Sequence, residues 1–365
     1  MLRRILFSAA SFFPVVLAMP QAKAAETITL LDRGEPYDAM VAHNGVFWIG
    51  QSRLQFAVNY RLEAYTADGK LIDRAPMGHS ISTMKITDQG MIMITGINPQ
   101  SHLSEYTVAS LQNGKIKLQT TEITVNGFIS FWIASIGPKH FFGDIGGNPE
   151  DTNTTGPAQT IFYASGSRPT YLTTRLSMPL SGTKIGKKLF VVSSLGYGQD
   201  KSTILEIDVE TMSKRVVMAS NTARYRGLTN IPGTSDIITS ASAESKVQVI
   251  DTAAGAIRRE FQTKGLPRSF DMTGHCLVVG NEDTNVVEIF DMNNTSEKPA
   301  FAAEINMPPE EFSGITRVAV DPNSGSIFAR ASSACNPVIE PCEHDFNRVV
   351  TLGVDTAKRV KTLCH

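Results

Sequence analysis

The chain has 365 residues, with 34 Lys and Arg against 35 Asp and Glu and a formal net charge of −1. That balance leaves no electrostatic footprint for nucleic acid or for an anionic membrane surface, so no nucleic-acid partner is expected. The length permits either two ordinary domains or one large closed all-β fold.

The first 25 residues carry Arg3 and Arg4, then the apolar run Ile5–Met19, then Ala22-Lys23-Ala24. Charged, hydrophobic and small-residue regions in that order read as a cleaved bacterial signal peptide, 1–25. The apolar run, at about 15 residues, is short of the roughly 20 that span a bilayer, and no later segment is expected to cross one. Removal of Met1–Ala25 takes away three basic residues and no acid, leaving 31 basic against 35 acidic. The mature protein is expected in the periplasm, with extracellular release as the variant.

After the leader, short alternating or continuously apolar runs are separated by Gly, Asn, Asp and Pro, the pattern of an all-β chain. The first unit runs through Tyr37–Ala42, Val46–Gly50, Tyr60–Tyr65 and Lys70–Arg74, turning at His43-Asn44-Gly45 and Ala67-Asp68-Gly69. A second follows with Ser82–Ile86, Met91–Thr95, Leu103–Ala109 and Lys115–Leu118. The third, near Phe128–Tyr171, is the least regular, with aromatic strands at Phe131-Trp132 and Phe141-Phe142 and the polar loop Gly146–Gly156. The fourth to sixth have third strands ending on Asp208, Asp251 and Asp291, spaced 43 and 40 positions apart. A seventh starts at Ile315–Val320 and resumes at Val349–Asp355.

One four-stranded meander cannot bury both its faces, but seven stacked radially share a continuous core and leave only short edges. The predicted fold is therefore a single all-β domain over 26–365, a β-propeller of seven four-stranded antiparallel blades, with six or eight as the alternatives. The blades fall near 32–80, 81–126, 127–179, 180–221, 222–265, 266–313 and 314–365. The strand Thr27–Leu31 is surplus to this count and is expected to join the last blade and close the ring.

Four cysteines suit an oxidising compartment. Cys335 and Cys342, separated only by Asn336–Pro341, are expected to form a local disulfide. A second bridge, Cys276–Cys364, would clamp the end of the chain to the fold; the alternative is that either is a small buried or terminal residue. Neither a haem-attachment CxxCH nor paired zinc-ligating CxxC is present.

The segments Leu266-Pro267-Arg268-Ser269-Phe270-Asp271, Cys276–Asn281 and Asn285–Asp291 together resemble a YVTN-type β-propeller repeat. In that family the first strand follows a Pro, the second ends near an Asn and the third ends on Asp. The resemblance departs at the second strand, where Cys-Leu-Val-Val stands for the Tyr-Val pattern. It implies a propeller, and it transfers no catalytic residue.

First-strand residues of a propeller line its central channel, which makes Arg224, Arg226, Arg268 and Arg317 the candidate ligand-binding residues. Their guanidinium groups could present planar forks of donors to a carboxylate, phosphate or acidic peptide; the competing role is salt bridging between blades. The Asp residues ending third strands, Asp208, Asp251, Asp291 and Asp355, are read as turn-stabilising acceptors. The loop Gly146–Asn153 is rich in oxygen ligands but lacks the EF-hand order. The histidines are scattered, and no metal or cofactor is expected. The aromatic cluster Phe128, Phe131, Trp132, Phe141 and Phe142 is read as blade core.

No nucleophile elbow, P-loop or dinucleotide fingerprint appears. The expected function is a binding or scaffold protein whose ring face engages a protein, peptide or small-molecule ligand. The alternative is a propeller lactonase, hydrolase or lyase, or the large subunit of a periplasmic dehydrogenase. Oligomeric state is not encoded in any feature of the sequence.

Overall fold

Two Asn-Gly pairs show how the turns set the strands. Asn44 and Gly45 have φ of 50° and 74°, Asn113 and Gly114 have 51° and 71°. Two consecutive positive φ values give the turn whose twist matches that of paired strands, and Asn-Gly tolerates it best. The computed structural model describes residues 24–25, 27–31, 37–51, 60–101, 103–126, 132–143, 158–164, 170–176, 179–193, 201–294, 296–305, 314–332 and 347–365.

These residues form seven antiparallel sheets of the propeller type, each running from an inner strand outward. Blade 1 comprises Tyr37–His43, Val46–Gln51, Arg61–Thr66 and Leu71–Pro76. Blade 2 comprises Thr83–Ile86, Ile92–Ile97, Leu103–Gln112 and Lys115–Asn126, and blade 3 Ile133–Ile136, Lys139–Gly143, Ala158–Ala164 and Thr170–Leu176. Blade 4 is Pro179–Ile185, Lys188–Ser193, Ser202–Asp208 and Lys214–Ser220. Blade 5 is Tyr225–Asn230, Asp236–Ala241, Lys246–Asp251 and Ala256–Gln262. Blade 6 is Pro267–Thr273, Cys276–Asn281, Val286–Asp291 and Phe301–Ile305. Blade 7 is Gly314–Val320, Ile327–Ser332 and Asn347–Leu352, and Thr27–Leu31 supplies its outermost strand, antiparallel to Asn347–Leu352. An early segment of the chain thus completes the last blade. Ala24–Ala25 also pairs, parallel, with the outer strand of blade 6; it lies within the leader that the sequence predicts to be removed.

The middle strands are buried on both faces because each blade is sandwiched between two others. Cys276–Asn281 and Asp236–Ala241 are buried at every position, whereas the outer strand Lys214–Ser220 is largely exposed. That is why second strands read as continuous apolar runs without alternation. The shared cores lie between blades: Val278, Val287 and Ile289 of blade 6 cluster with Ile315, Val318 and Val320 of blade 7. Between blades 7 and 1, the rings of Phe328 and Phe47 stack with centroids 3.5 Å apart. This contact packs the last blade against the first.

Two local expectations are corrected. Val349–Asp355 is not one strand: the strand ends at Leu352 and a helix, α1, spans Val354–Cys364. Ala357, Val360 and Cys364 are its buried residues, one narrow apolar face on eleven residues, too short to show as a sustained helical period. Asp355 accordingly lies in the first helical turn, where its charge suits the macrodipole, and not at a strand end. Trp132 likewise does not sit in a strand; it precedes Ile133–Ile136 and is buried, with Phe141 and Phe142 in the next strand.

Helix α1 is tied down covalently. Cys276 and Cys364 form a disulfide with a Cα–Cα distance of 5.3 Å, and both are fully buried. His275 N–H donates to the Cys364 carbonyl at 3.2 Å, and the Arg359 guanidinium lies over the Phe301 ring at 4.3 Å. Cys335, Cys342, the loop Gly146–Asn153, Phe128 and Phe131 lie outside the described residues.

Candidate functional site

In blades 1, 4, 5, 6 and 7 the inner strand slips against the second strand at one corresponding place. The register shifts fall between Tyr37 and Ala39, Pro179 and Ser181, Tyr225 and Leu228, Pro267 and Ser269, and Ile315 and Arg317. A bulge of this kind re-aims the extra side chain. The residues so placed are Leu180, Arg226 with Gly227, Arg268 and Thr316, and in blade 1 the backbone shift falls at position 38. In blade 5 the displaced N–H groups of Arg226 and Gly227 both donate to Ser240 Oγ, at 3.1 and 2.9 Å. A Cβ at Gly227 would stand 2.9 Å from the Arg268 carbonyl oxygen, so the inner strands of blades 5 and 6 approach closely there.

Register therefore makes Arg226 and Arg268 true equivalents, while Arg317 lies one residue beyond its bulge, paired across the ladder with Arg330. Arg224 stands ahead of its strand and is exposed, its carbonyl accepting from Ser242 N–H and Oγ–H at 3.1 and 2.7 Å. The four are not one equivalent set.

Arg226 and Arg268 converge on a single carboxylate, Glu282. Arg268 Nη1 donates to Oε2 at 2.6 Å and Arg226 Nη1 to Oε1. Glu282 is held in place through its own N–H, which donates to the Leu266 carbonyl at 2.9 Å. Two guanidinium groups on one carboxylate leave the cluster with a net positive charge, and each planar group still carries further N–H donors. The cluster fills the competing role foreseen for these arginines, bridging blades 5 and 6, and it remains cationic.

Deeper in the ring lie two residues that sequence reasoning missed, Lys85 and Asp271. Lys85, on the inner strand of blade 2, is exposed to solvent, yet burial among surrounding protein is the main influence on its ammonium, pushing its pKa down. Both hold for a side chain on an inner strand that projects into the central channel with protein around it. Its ammonium also feels Asp271 of blade 6, which favours the charge, and Arg317 of blade 7, which opposes it. Blade 6 stands three places round the ring of seven from blade 2, which sets Lys85 and Asp271 across the central channel from each other, with Arg317 on blade 7 between them.

Burial pushes the Asp271 carboxyl up to about 6, against the lowering effect of its hydrogen bonds and of Lys85. Its Oδ2 accepts from Val320 N–H and its Oδ1 from Met272 N–H, each at 2.8 Å. In contrast, Lys184 is engaged with Asp88 and the Ser135 carbonyl, stitching blades 2, 3 and 4. Three of the four Asp residues read as turn acceptors act so: Asp208 Oδ1 accepts from Glu210 and Thr211 N–H at 2.9 Å, Asp251 Oδ1 from Ala253 and Ala254 at 2.9 and 3.0 Å, and Asp291 Oδ1 from Asn293 at 2.9 Å. Away from the channel, an open cleft of about 550 Å³ runs between the outer strands of blades 4 and 5, lined by Val216, Met218, Tyr225 and Glu260. Among the described residues no three His, Cys, Asp or Glu side chains are grouped to hold a metal, and no helix is long and apolar enough to cross a membrane.

No family model and no curated protein matches the chain. Among solved structures it is similar to the WD40 β-propeller domain of Doa1, at 11% identity and a TM-score of 0.62, covering 93% of this chain and 99% of that one. It is similar also to Raptor from Chaetomium thermophilum, at 12% identity and 0.61, covering 91% of this chain and 30% of that one. The Dos1 propeller matches at 12% identity and 0.55, covering 86% and 77%. The fold is a β-propeller. At such identities the likeness extends to architecture alone, and the charged groups above must be interpreted from their own chemistry.

Proposed function

We propose that this propeller is an exported, periplasmic recognition protein whose ring face and channel bind an anionic partner: an acidic peptide segment, a protein surface or a small carboxylate. The observation that carries this reading is the gathering of cations from four blades, Arg226 and Arg268 on Glu282 and Lys85 and Arg317 within the channel. Glu282 holds the first pair in position without neutralising it. An anion entering from that face would replace solvent with preorganised donors. Export is supported by the N-terminal leader and by the buried Cys276–Cys364 bridge, a bond that persists in oxidising compartments. Kinship with YVTN-type propellers rests on the segment Leu266–Asp291.

Isothermal titration of the mature protein with a poly-glutamate peptide and with citrate tests the proposal. The triple variant Arg226→Ala, Arg268→Ala, Arg317→Ala is expected to lose at least tenfold in affinity while keeping its fold. Glu282→Gln, which releases both guanidinium groups, is expected to bind more tightly. Equal binding by the wild type and the triple variant would overturn the reading.

A second reading draws on Asp271. A carboxyl that burial pushes up to about 6, with Lys85 acting on it, has the tuning that a general base in a propeller hydrolase or lyase would need. Turnover of a lactone or ester panel that vanishes in Asp271→Asn would favour it over pure recognition.

A further inference from the structure

Glu63 of blade 1 and Glu288 of blade 6 occupy the same position in their third strands. Each directly follows the residue paired with a second-strand glycine, Leu62 with Gly50 and Val287 with Gly280. Both carboxylates are fully buried. A buried carboxylate is tolerated only when neutralised or fully hydrogen-bonded.

Glu63 meets that requirement with three side chains: Arg61 Nε at 2.9 Å, Arg74 Nε at 2.6 Å and Tyr65 Oη at 2.7 Å. Arg74 lies directly across the ladder from Glu63, and Arg61 and Tyr65 are two residues before and after it. The corresponding residues around Glu288 are Ala302, Val286 and Phe290. All three partners have become apolar, yet the acid is kept.

Glu288 Oε2 accepts from Asn281 Nδ2 at 2.9 Å and from Lys264 N–H at 3.0 Å. Its Oε1 has no hydrogen-bond partner among the described residues, nor does Asn281 Oδ1 beside it. Asn281 is also fully buried. The hairpin that joins these two residues carries two more buried oxygens in the same condition, Thr284 Oγ1 and Asn285 Oδ1. Three acceptor oxygens and one hydroxyl, without hydrogen-bond partners among the described residues on one eight-residue hairpin, make a set that a cation would satisfy. Ala302, directly across the ladder, supplies no side-chain cation, and Lys264, whose charge is felt at the acid, hydrogen-bonds it through its backbone N–H.

We infer that the hairpin Asn281–Glu288 of blade 6 is a binding site for a hard cation of the calcium type, with Glu288 and Asn281 as its buried ligands. Thr284 and Asn285, nearer the half-exposed tip, complete the oxygen set, and water fills the rest of the shell. Such oxygen sites with a single carboxylate belong to the weak class, with Kd of about 10⁻⁴–10⁻³ M. The ion would brace the turn that also presents Glu282 to Arg226 and Arg268, without being part of that cluster.

The test measures calcium bound per chain by equilibrium dialysis of the folded full-length protein after chelation, alongside thermal unfolding with and without 5 mM CaCl2. The wild type is expected to bind one equivalent and to gain about 1–3 °C, with no comparable gain from NaCl. Glu288→Gln should lose both effects. Should that variant fold poorly, Ala302→Arg, which restores the arrangement around Glu63, should be stable without calcium and indifferent to it. Equal calcium binding by wild type and Glu288→Gln would overturn the assignment by placing the ion elsewhere. A wild type with no calcium response, whose stability falls instead as pH rises through the carboxyl range, would overturn it by showing that a proton fills the role.

Discussion

Asp321 of blade 7 accepts the backbone N–H of Gly45 of blade 1 at 3.0 Å, joining residues 276 apart in sequence. Its other oxygen takes Ser324 N–H and Oγ–H at 3.0 and 2.7 Å, so a fully buried carboxylate both builds its own turn and latches the next blade. Asp88 repeats the device between blades 2 and 3, accepting from Gly137 N–H at 3.1 Å. Asp321→Ala orphans the Gly45 and Ser324 donors and should cost about 1–3 kcal/mol in chemical denaturation. The same change at Asp88 should cost less, because its latch is more exposed. A negligible loss at Asp321 would show that packing such as the Phe47–Phe328 stack holds the seam without the latch, and equal losses at the two sites would show that exposure does not weaken it.

Trp132 sets the limits on two glycines, Gly143 across its own hairpin and Gly182 in the next blade. A Cβ at Gly143 would stand 1.9 Å from the indole Nε1, and one at Gly182 would stand 2.6 Å from Cε3. The indole therefore lies between the second strand of blade 3 and the inner strand of blade 4. Gly182→Ala is expected to destabilise by about 1–3 kcal/mol through overpacking. Gly182→Ala combined with Trp132→Phe should recover part of that loss, because the smaller ring vacates the contested volume. An additive double variant would refute the contact as the cause.

The Cys276–Cys364 bridge closes a loop of 88 residues across blades 6 and 7. In the chain-entropy view such a loop is worth about 4.6 kcal/mol, less any strain. The double variant Cys276→Ser, Cys364→Ser should melt well below the wild type under oxidising conditions and match the wild type held in strong reductant. Because both sulfurs are fully buried, reduction of the folded protein should be slow and should track unfolding. Rapid reduction with no change in melting would mean that α1 detaches freely and adds nothing to the ring.

The repeat was legible because each blade needs its own turns and its own apolar second strand, as in Cys276–Asn281. The strand Thr27–Leu31 could be assigned to the last blade since nothing nearby could pair with it. The arginines were legible as residues but not as a set: a one-residue bulge separates Arg268 from the frame of Arg317, and periodicity does not register bulges. Lys85 and Asp271 were invisible for a different reason. They are 186 positions apart, and only ring closure makes them neighbours across a channel. Helix α1 escaped because three buried positions in eleven residues give too little periodic signal. The contrast between Glu63 and Glu288 was present in the sequence throughout, but it becomes readable only when register identifies Ala302 as the counterpart of Arg74.

Buried titrating groups pull the pH dependence in opposite directions. His79 is fully buried, and its Nδ1 faces the Ser80 carbonyl at 2.6 Å and its Nε2 the Thr107 hydroxyl at 2.7 Å. A carbonyl can only accept, so Nδ1 carries the proton and Nε2 accepts from Thr107. Burial pushes this imidazole pKa down, so the unfolded chain takes up a proton more readily than the fold does. Stability contributed by neutral His79 is present above the unfolded value of about 6.5 and is lost as pH falls below it. His79→Gln should flatten that acid-side loss in a series of denaturation midpoints between pH 7 and 5; an unchanged slope would assign it to other groups.

Asp271 acts with the opposite sign. Its carboxyl, pushed up to about 6 from an ordinary 3.8, holds its proton more tightly in the fold than in the unfolded chain. Its contribution is therefore greatest at low pH and is lost as pH rises from about 4 through about 6, then stays level. Lys85 across the channel moderates this by favouring the ionised form. Removing that charge in Lys85→Met should raise the Asp271 pKa further, read directly from the carboxyl carbon shift in an NMR titration. The same variant should weaken citrate binding at pH 7.5, where Asp271 is ionised and no longer opposed by the ammonium. An Asp271 pKa that does not move in Lys85→Met would mean that the two side chains do not share the channel, and the anionic-ligand reading would then rest on Arg226, Arg268 and Arg317 alone.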